Sequence, residues 1–320
     1  MPRLGGYLFK RITGVLSICL SFLLVLWLIS GIDKSHALVL IKQAEIEWLL
    51  IAFILISFSP LFMTWRWLGT LCGLPGERLS FNIAFRAVLT AIALNSFLPM
   101  KGGDFAKALV SRKYYGLSAV IGSVLLERFV DLGLIGLLAA VALLKEGTGL
   151  SWVLLGLVPL CISSTLFLLA LWAPLERWSK PVTLCNSLRN FRQVCYVWIH
   201  TPKAVIITVG SSLVCWLIAL CVFVCLARAL DPTFPYSLIV TAFPIGIVAG
   251  LVPVTVSGLG TRDATFAVLL SSRFGQEKAV LLALGYTLIA YWYLSILAGV
   301  LLLLVVCFKK KYKSKTIDIP

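Results

Sequence analysis

Long runs of apolar residues, separated by short polar segments, dominate the chain. Roughly 20 apolar residues in a helix, each adding 1.5 Å, cross the hydrocarbon core of a bilayer. Six runs are about that long, and five of them contain no Asp, Glu, Lys or Arg. We therefore predict an all-α polytopic integral membrane protein with six spanning helices, at residues 12–32, 48–65, 120–144, 147–175, 204–227 and 279–308.

Two further apolar runs, 81–100 and 237–256, are interrupted by proline and glycine. Each leads into a glycine-rich turn, Pro-Met-Lys-Gly-Gly-Asp at 99–104 and Pro-Val-Thr-Val-Ser-Gly-Leu-Gly-Thr-Arg-Asp at 253–263. Non-helical backbone at membrane depth is tolerated only inside protein or beside a water-filled cavity. We predict that each run, together with its turn and the segment that follows, forms a re-entrant hairpin, at residues 81–114 and 237–270. The alternative is that both are ordinary spans, which would give eight.

The two turns follow the same order of residues. Asp104 is followed 12 residues later by Gly116, and Asp263 is followed 12 residues later by Gly275. In both cases a long apolar run comes next, which indicates an internal repeat.

The distribution of charge assigns an orientation to this repeat. Basic residues favour the cytoplasmic side, which places the N-terminus and the segment 174–203 inside. The two hairpins then enter from opposite faces, as an inverted repeat with units at about 81–144 and 237–308. Such repeats place a substrate site near the bilayer midplane.

Composition excludes several classes of protein. Of the 320 residues, 60% are apolar and 13% are charged, whereas soluble domains are about 45–50% apolar. A soluble enzyme, a disordered protein and a fibrous protein are therefore excluded. The formal charge of +15 lies mostly in the segments assigned to the cytoplasm, so we interpret it as an orientation signal. We expect no nucleic-acid partner, and we expect both termini to be cytoplasmic.

Three charged residues interrupt the third predicted span. A charge at membrane depth costs about 2.5–3.5 kcal/mol or more. Glu127 and Asp131 are four residues apart on one helical face, and Arg128 precedes Asp131 by three. They either form a polar lining that carries a headgroup or a proton, or form a structural ion pair that locks helices together.

The glycine-rich turns hold the other candidate chemistry. Asp104 and Asp263 each begin a predicted helix, where a carboxylate caps backbone N–H groups. Glycines before a helix also expose N–H groups that suit phosphate. Basic side chains near the turns could pair with the same phosphate, which predicts an anionic headgroup site; they are Lys101, Lys107, Arg112 and Arg262.

Other chemistry is poorly supported. The nine cysteines are scattered without a Cys-x-x-Cys pair, and the two histidines are far apart. We therefore expect no disulfide framework, no metal, no cofactor and no histidine-based catalysis.

The segment 176–200 has an amphipathic pattern. Its apolar residues recur at spacings of four and three, with Arg189 and Arg192 off that stripe. This predicts an interfacial helix attracted to anionic lipid, and a plain cytoplasmic loop is the alternative. The stripe consists of Leu184, Leu188, Phe191, Cys195 and Trp198.

Three motifs carry a family resemblance. The stretches 95–104 (Asn-Ser-Phe-Leu-Pro-Met-Lys-Gly-Gly-Asp), 127–131 (Glu-Arg-Phe-Val-Asp) and 257–263 (Ser-Gly-Leu-Gly-Thr-Arg-Asp) resemble the flippase-like transmembrane family. This is the membrane region associated with lysylphosphatidylglycerol synthases. The resemblance covers about residues 10–308. The family often has Arg where Lys107 stands and Glu where Asp263 stands, and Lys for Arg weakens bidentate phosphate binding.

The resemblance implies a lipid translocase of the bacterial inner membrane, without enzymatic activity. It would move an anionic phospholipid or a polyprenyl-phosphate-linked lipid between leaflets, and we expect no lysyl-lipid synthesis by this chain. The predicted substrate-binding residues are Asn95, Lys101, Gly102, Gly103, Asp104, Lys107, Arg112, Glu127, Arg128, Asp131, Gly258, Gly260, Arg262 and Asp263.

Two alternatives belong to other classes. One is a membrane-embedded enzyme that modifies a lipid headgroup with Glu127 or Asp131 as the base. The other is a non-transporting partner of a lipid or glycan synthesis enzyme.

Overall fold

In a computed structural model the chain is described over residues 3–96, 98–145, 150–172, 182–234, 236–251 and 255–315. Side chains are described over 16–96, 98, 102–144, 157–169, 171, 189–234, 236–251 and 255–305. The α-helices in these ranges are α1 (Arg3–Ser30), α2 (Lys34–Gln43), α3 (Ile46–Ser57), α4 (Ser59–Leu71), α5 (Phe81–Asn95), α6 (Ala106–Ser111), α7 (Leu117–Lys145), α8 (Leu150–Trp172), α9 (Val182–Ile199), α10 (Pro202–Leu230), α11 (Tyr236–Leu251), α12 (Thr261–Phe274), α13 (Gln276–Thr287) and α14 (Leu294–Lys315).

The described parts of the six predicted spans are almost entirely helical, and the polytopic all-α class is confirmed; the predicted span 48–65 falls on two helices, α3 and α4, that meet at Phe58. Among the described residues, three stretches are long and apolar enough to cross a bilayer: Ile46–Leu71, Pro202–Leu230 and Gln276–Val305. In the last of these, the π-helical turn Leu288–Tyr293 joins α13 to α14. A fourth span would combine α1 and α2, which meet at an angle of 88°.

Small residues let the spans pack closely. This is usual in membranes, because the surrounding lipid is itself apolar and provides no hydrophobic driving force for helix association. A Cβ added at Gly69 of α4 would lie 2.5 Å from Thr208 Oγ1 of α10. On α7, a Cβ at Gly136 would lie 2.8 Å from the backbone nitrogen of Leu160 in α8. Ser163 of α8 also donates a hydrogen bond to the Phe129 carbonyl at 2.8 Å. These close contacts hold α4 against α10 and α7 against α8.

The first broken segment turns back on itself. Its helix α5 has 15 residues, about 22 Å at 1.5 Å per residue, which is shorter than a hydrocarbon core of about 30 Å. A 3₁₀ helix, Pro99–Phe105, follows and leads into α6, and both pack against α5. Gly103 permits this return, because a Cβ there would collide with the Ala91 carbonyl and lie 2.8 Å from the Asn95 nitrogen.

The second broken segment has the same form. Helices α11 and α12 have 16 and 14 residues and pack against each other. Gly246 of α11 faces the ring of Phe266 of α12, with no room for a Cβ. That ring lies 4.5 Å from the ring of Phe223 in α10. This aromatic packing anchors the second hairpin to a spanning helix.

The tips of the two hairpins meet. Ser257, in the 3₁₀ turn Val256–Gly258, donates from Oγ to the Asn95 carbonyl at 2.8 Å. Ser257 has a φ of 52°, a conformation rare for a residue with a side chain. The tip-to-tip contact supports the opposite orientation of the hairpins. That orientation and the repeat boundaries stay predictions.

Helix α9 falls within the predicted amphipathic segment 176–200, of which 176–181 lies outside the described residues. Cys195 is fully buried, and the ring of Phe191 lies 5.7 Å from that of Phe129 in α7. Trp198 donates to Thr208 Oγ1 at 3.1 Å. The described part of the apolar stripe therefore packs on protein, and attraction to anionic lipid stays a prediction.

Candidate functional site

Six charged side chains meet where α4, the first hairpin and α7 come together. Arg66 comes from α4, Asp104 from the 3₁₀ helix and Lys107 from α6. Helix α7 contributes Glu127, Arg128 and Asp131, which its spacing of three and four residues places near one another. We refer to these six residues as the ion-pair ring.

The ring closes with alternating charge. Arg66 donates from Nη1 to both oxygens of Asp131 at 3.0 Å and from Nε to Glu127 Oε1 at 3.3 Å. The Lys107 ammonium donates to Glu127 Oε2 at 2.6 Å and lies 3.9 Å from Asp104 Oδ1. Arg128 completes the ring, with Nη2 3.2 Å from Asp104 Oδ2 and Nη1 3.4 Å from Asp131 Oδ2.

Exposure separates one member from the other five. Five side chains of the ring are 8% exposed or less, and Glu127 is fully buried. Arg128 keeps 29% of its side chain exposed. Its Nε has no hydrogen-bond partner among the described residues. The inner pairs lock three elements together, while the side chain of Arg128 stays partly exposed and one of its donors, the buried Nε, is unused among the described residues.

A cavity of about 140 Å³ adjoins the ring. This is room for several water molecules. Five ring members line it, and the sixth, Glu127, lies behind the wall. The opposite wall is largely apolar and includes Ile56, Met63 and Leu294. A polar headgroup could meet the ring there while its hydrocarbon part contacts the apolar wall.

Asn95 connects the cavity to the first hairpin. Its amide nitrogen donates to Asp104 Oδ1 at 3.1 Å. Its Oδ1 is buried and finds no hydrogen-bond partner in the described part of the chain. The predicted site residues Asn95, Asp104, Lys107, Glu127, Arg128 and Asp131 are thus brought together.

Arg262 and Asp263 form a second cluster, the Arg262 cluster, with Thr287 and Tyr291. The exposed fractions of the Arg262 and Asp263 side chains are 1% and 0%. Arg262 Nη2 lies 3.1 Å from Asp263 Oδ1, and Arg262 also donates to Thr287. The guanidinium carbon of Arg262 lies 4.1 Å from the ring centroid of Tyr291, a cation–π contact. Arg262 Nη1 has no hydrogen-bond partner among the described residues.

The two aspartates differ in their relation to the helices. Asp263 Oδ2 accepts the Gly260 N–H at 3.0 Å, which confirms the capping prediction for α12. Asp104 does not occupy the N-cap of α6, because that position is held by Phe105. The capping prediction for Asp104 is therefore wrong, and its carboxylate joins the ion-pair ring instead.

Packing accounts for three of the four predicted glycines. Gly103 lies against α5, and Gly258 has a φ of 78° with Gly250 O only 2.9 Å from a built Cβ. Gly260 has a φ of 94°, and a Cβ there would lie 2.7 Å from Leu24 Cβ. Gly102 is less restricted, because the nearest atom, Leu98 Cβ, would be 3.4 Å away. Contact of these glycines with phosphate stays a prediction.

Two predicted basic residues are not part of either cluster as described. Arg112 follows the last residue of α6 and is exposed, because that helix is only six residues long and ends before it. The side chain of Lys101 lies outside the described residues. Within the described ranges, no three or more His, Cys, Asp or Glu side chains are grouped so as to hold a metal ion.

The predicted site omitted Arg66 and the aromatic residues Tyr286 and Tyr291. Arg66 lies 61 residues before its partner Glu127, so local spacing does not connect them. A signal was present, because Arg66 directly follows the uncharged run 48–65. Tyr286 and Tyr291 line the cavity and both face Arg262.

Comparison with known proteins gives one family. The family model described as the lysylphosphatidylglycerol synthase TM region matches residues 14–298. This range includes both hairpins, the ion-pair ring and the Arg262 cluster. A search of curated proteins found no match.

Proposed function

Because the chain belongs to the family of lysylphosphatidylglycerol synthase transmembrane regions, we propose that it is a lipid translocase. It moves an anionic phospholipid or a polyprenyl-phosphate-linked lipid between the leaflets of a bacterial inner membrane. The termini are cytoplasmic, and the lipid is bound through its phosphate headgroup. A family of membrane regions is broadly consistent with a lipid-related function.

The cavity beside the ion-pair ring is the observation that carries this proposal. The partly exposed side chain of Arg128 lines this cavity. The outer surface of the surrounding helix bundle exposes large apolar side chains such as Leu23, Ile206 and Leu303. Arginine matches phosphate through two parallel N–H donors. A headgroup could therefore enter the cavity while the acyl or prenyl chains remain in lipid.

The tip-to-tip contact supports passage between leaflets. The cavity is lined by Asn95 and Ser96 at the end of α5, and the second hairpin meets this point through Ser257. Ser96 also lies 2.6 Å from Ser295 Oγ in α14. A small movement at these few hydrogen bonds would change access to the cavity from one side, as broken helices do in transporters.

Transport rather than headgroup chemistry fits the surroundings of the carboxylates. Glu127 is fully buried and accepts hydrogen bonds from Arg66 and Lys107. Asp131 accepts two hydrogen bonds from Arg66. A carboxylate held by cations is a poor general base, because its negative charge is already stabilised. The proposed function is therefore transport without enzymatic activity.

Leaflet exchange in vesicles tests the proposal. Purified protein is reconstituted with fluorescent phosphatidylglycerol, phosphatidylethanolamine or polyprenyl phosphate, and dithionite quenching follows the outer leaflet. We expect exchange of at least one anionic lipid to exceed that of protein-free vesicles by tenfold or more. Arg273→Ala, which removes an exposed charge at the end of α12, should retain this rate. Exchange equal to that of protein-free vesicles for every anionic lipid would contradict the proposal.

A further inference from the structure

The ion-pair ring is electrically balanced before any ligand arrives. Arg66, Lys107 and Arg128 supply three positive charges, and Asp104, Glu127 and Asp131 supply three negative ones. An anion that entered the cavity alone would leave one uncompensated negative charge in a poorly solvated site, which is costly. A ring of this kind therefore needs a compensating positive charge whenever it binds an anion.

A proton on one carboxylate would supply that charge. Asp104 is the acid whose neutralisation leaves the shortest ion pairs of the ring intact. Without its charge, Lys107 keeps its 2.6 Å pair with Glu127, and Arg128 keeps its 3.4 Å pair with Asp131. Neutral Asp131 would instead weaken the two 3.0 Å hydrogen bonds from Arg66, the shortest pair that this arginine makes. Glu127 does not line the cavity.

Asn95 provides a partner for the protonated form. Its amide nitrogen now donates to Asp104 Oδ1 at 3.1 Å, and its own Oδ1 is buried without a hydrogen-bond partner among the described residues. A flip of the amide would turn that oxygen toward Asp104, where it could accept the new O–H. The same residue therefore matches both protonation states of Asp104.

Protonation would also free the accessible cation. Arg128 Nη2 lies 3.2 Å from Asp104 Oδ2, and neutralising this oxygen weakens the pair. Arg128 could then turn one edge of its guanidinium toward a phosphate in the cavity. Among the described residues, the other titratable or charged groups around the cavity are Arg66 of α4, Lys107 of α6, Arg128 and Asp131 of α7, Cys215 of α10, Tyr286 of α13 and Tyr291 of the π-helical turn, with Glu127 behind them.

Building on the proposed function, we infer that an anionic phosphate headgroup and one proton bind together, the phosphate on Arg128 and the proton on Asp104. The proton comes from solvent when the anion enters and returns to solvent when the anion leaves. Binding is then tighter at low pH. A proton gradient across the membrane would bias the direction of lipid movement.

Calorimetry on the purified full chain in detergent tests this coupling directly. Glycerophosphoglycerol, a soluble phosphodiester headgroup that carries one negative charge at both pH values, is titrated at about pH 6 and about pH 8 in two buffers of different ionisation enthalpy. We expect uptake of about one proton per anion where Asp104 is ionised before binding. Affinity should fall about tenfold per pH unit in that range, by linkage.

Three variants keep the test sharp. Asp104→Asn should bind glycerophosphoglycerol without proton uptake and with the same affinity at both pH values. Asp104→Glu, which keeps a titratable group, should retain proton uptake. Asp231→Asn, which removes an acid outside the spans, should behave as wild type, and circular dichroism with gel filtration confirms that each variant is folded.

Several results would overturn the inference. They are binding without proton uptake at either pH, proton uptake that persists in Asp104→Asn, and no binding by any folded form. Pairing of the anion with a headgroup amine instead would show as tight, pH-independent binding of glycerophosphoethanolamine alone. Vesicle exchange tests the proposed function separately: coupled binding without exchange would refute translocation and leave the proton site standing.

Discussion

Each hairpin carries an aspartate that pairs with an arginine, Asp263 with its neighbour Arg262 and Asp104 with Arg128 of α7, but the two arginines have different surroundings. Arg262 is 1% exposed and lies against Asp263, Thr287 and the Tyr291 ring. Arg128 is 29% exposed and faces a cavity. The acid of the second hairpin also caps its helix, whereas Asp104 of the first pairs with residues of other helices. The two aspartates thus have different partners, since Asp263 is held within its own helix and Asp104 joins the ion-pair ring beside the cavity.

The largest effect on stability is expected in the Arg262 cluster. Asp263→Ala would leave Arg262 buried without its carboxylate and would remove the cap of α12. Breaking a buried pair from one side costs about 3–5 kcal/mol. Unfolding in mixed micelles, followed by circular dichroism, measures this loss. A change below about 1 kcal/mol, the range of exposed pairs, would show that the cluster is not structural.

A pair of glycine variants compares packing with ligand contact in the first hairpin. Gly103→Ala would place a Cβ against the Ala91 carbonyl and should lower the unfolding free energy by about 1–3 kcal/mol, the usual cost of overpacking. Gly102→Ala has space and serves as the matched control. Equal stability of the two variants, measured in the same micelles, would refute the packing role of Gly103.

Arg128→Ala should affect stability less than Asp263→Ala. Its partners Asp104 and Asp131 each keep another cation, and its side chain is partly exposed. We expect a loss of about 1–2 kcal/mol, between the values for exposed and buried pairs. A loss of unfolding free energy as large as that of Asp263→Ala would contradict the proposed difference in stability between the ion-pair ring at Arg128 and the Arg262 cluster.

The smallest effect is expected outside the spans, at Asp231. A hydrogen bond from Lys278 at 2.6 Å, aided by Thr233, lowers the pKa of Asp231 from 3.8 to about 2. Its contribution to stability is complete above its ordinary pKa and is lost only as the pH falls through about 2. Asp231→Asn should therefore cost about 0.5 kcal/mol, equally at about pH 5 and about pH 8. A cost that differs between these pH values would contradict the lowered pKa.

The fold was largely predictable because hydrophobic length is a local property. The runs at 48–65 and 204–227 lie within helical stretches that are long enough to span a bilayer. Pro99 and the glycines after it mark where the first hairpin turns. Glu127, Arg128 and Asp131 could be grouped because three or four residues make one helical turn.

The partners of these residues were harder to predict. Arg66 joins Glu127 across 61 residues, and no helical period relates α4 to α7. Tyr291 contacts Arg262 through its aromatic ring, but aromatic residues are common in apolar helices, so its presence in the sequence did not indicate this contact. Arg112 was grouped with the site because it is close in sequence, although α6 ends before it. Long-range packing, which local patterns do not encode, decides these three cases.

Leaflet exchange by Arg128→Ala tests the central claim most directly. Fluorescent phosphatidylglycerol is followed in vesicles that contain equal amounts of folded wild type, Arg128→Ala and Arg273→Ala. The account predicts that Arg128→Ala exchanges lipid at least about tenfold more slowly, the cost of one lost charged hydrogen bond, while Arg273→Ala matches wild type. Equal rates for wild type and Arg128→Ala would contradict it.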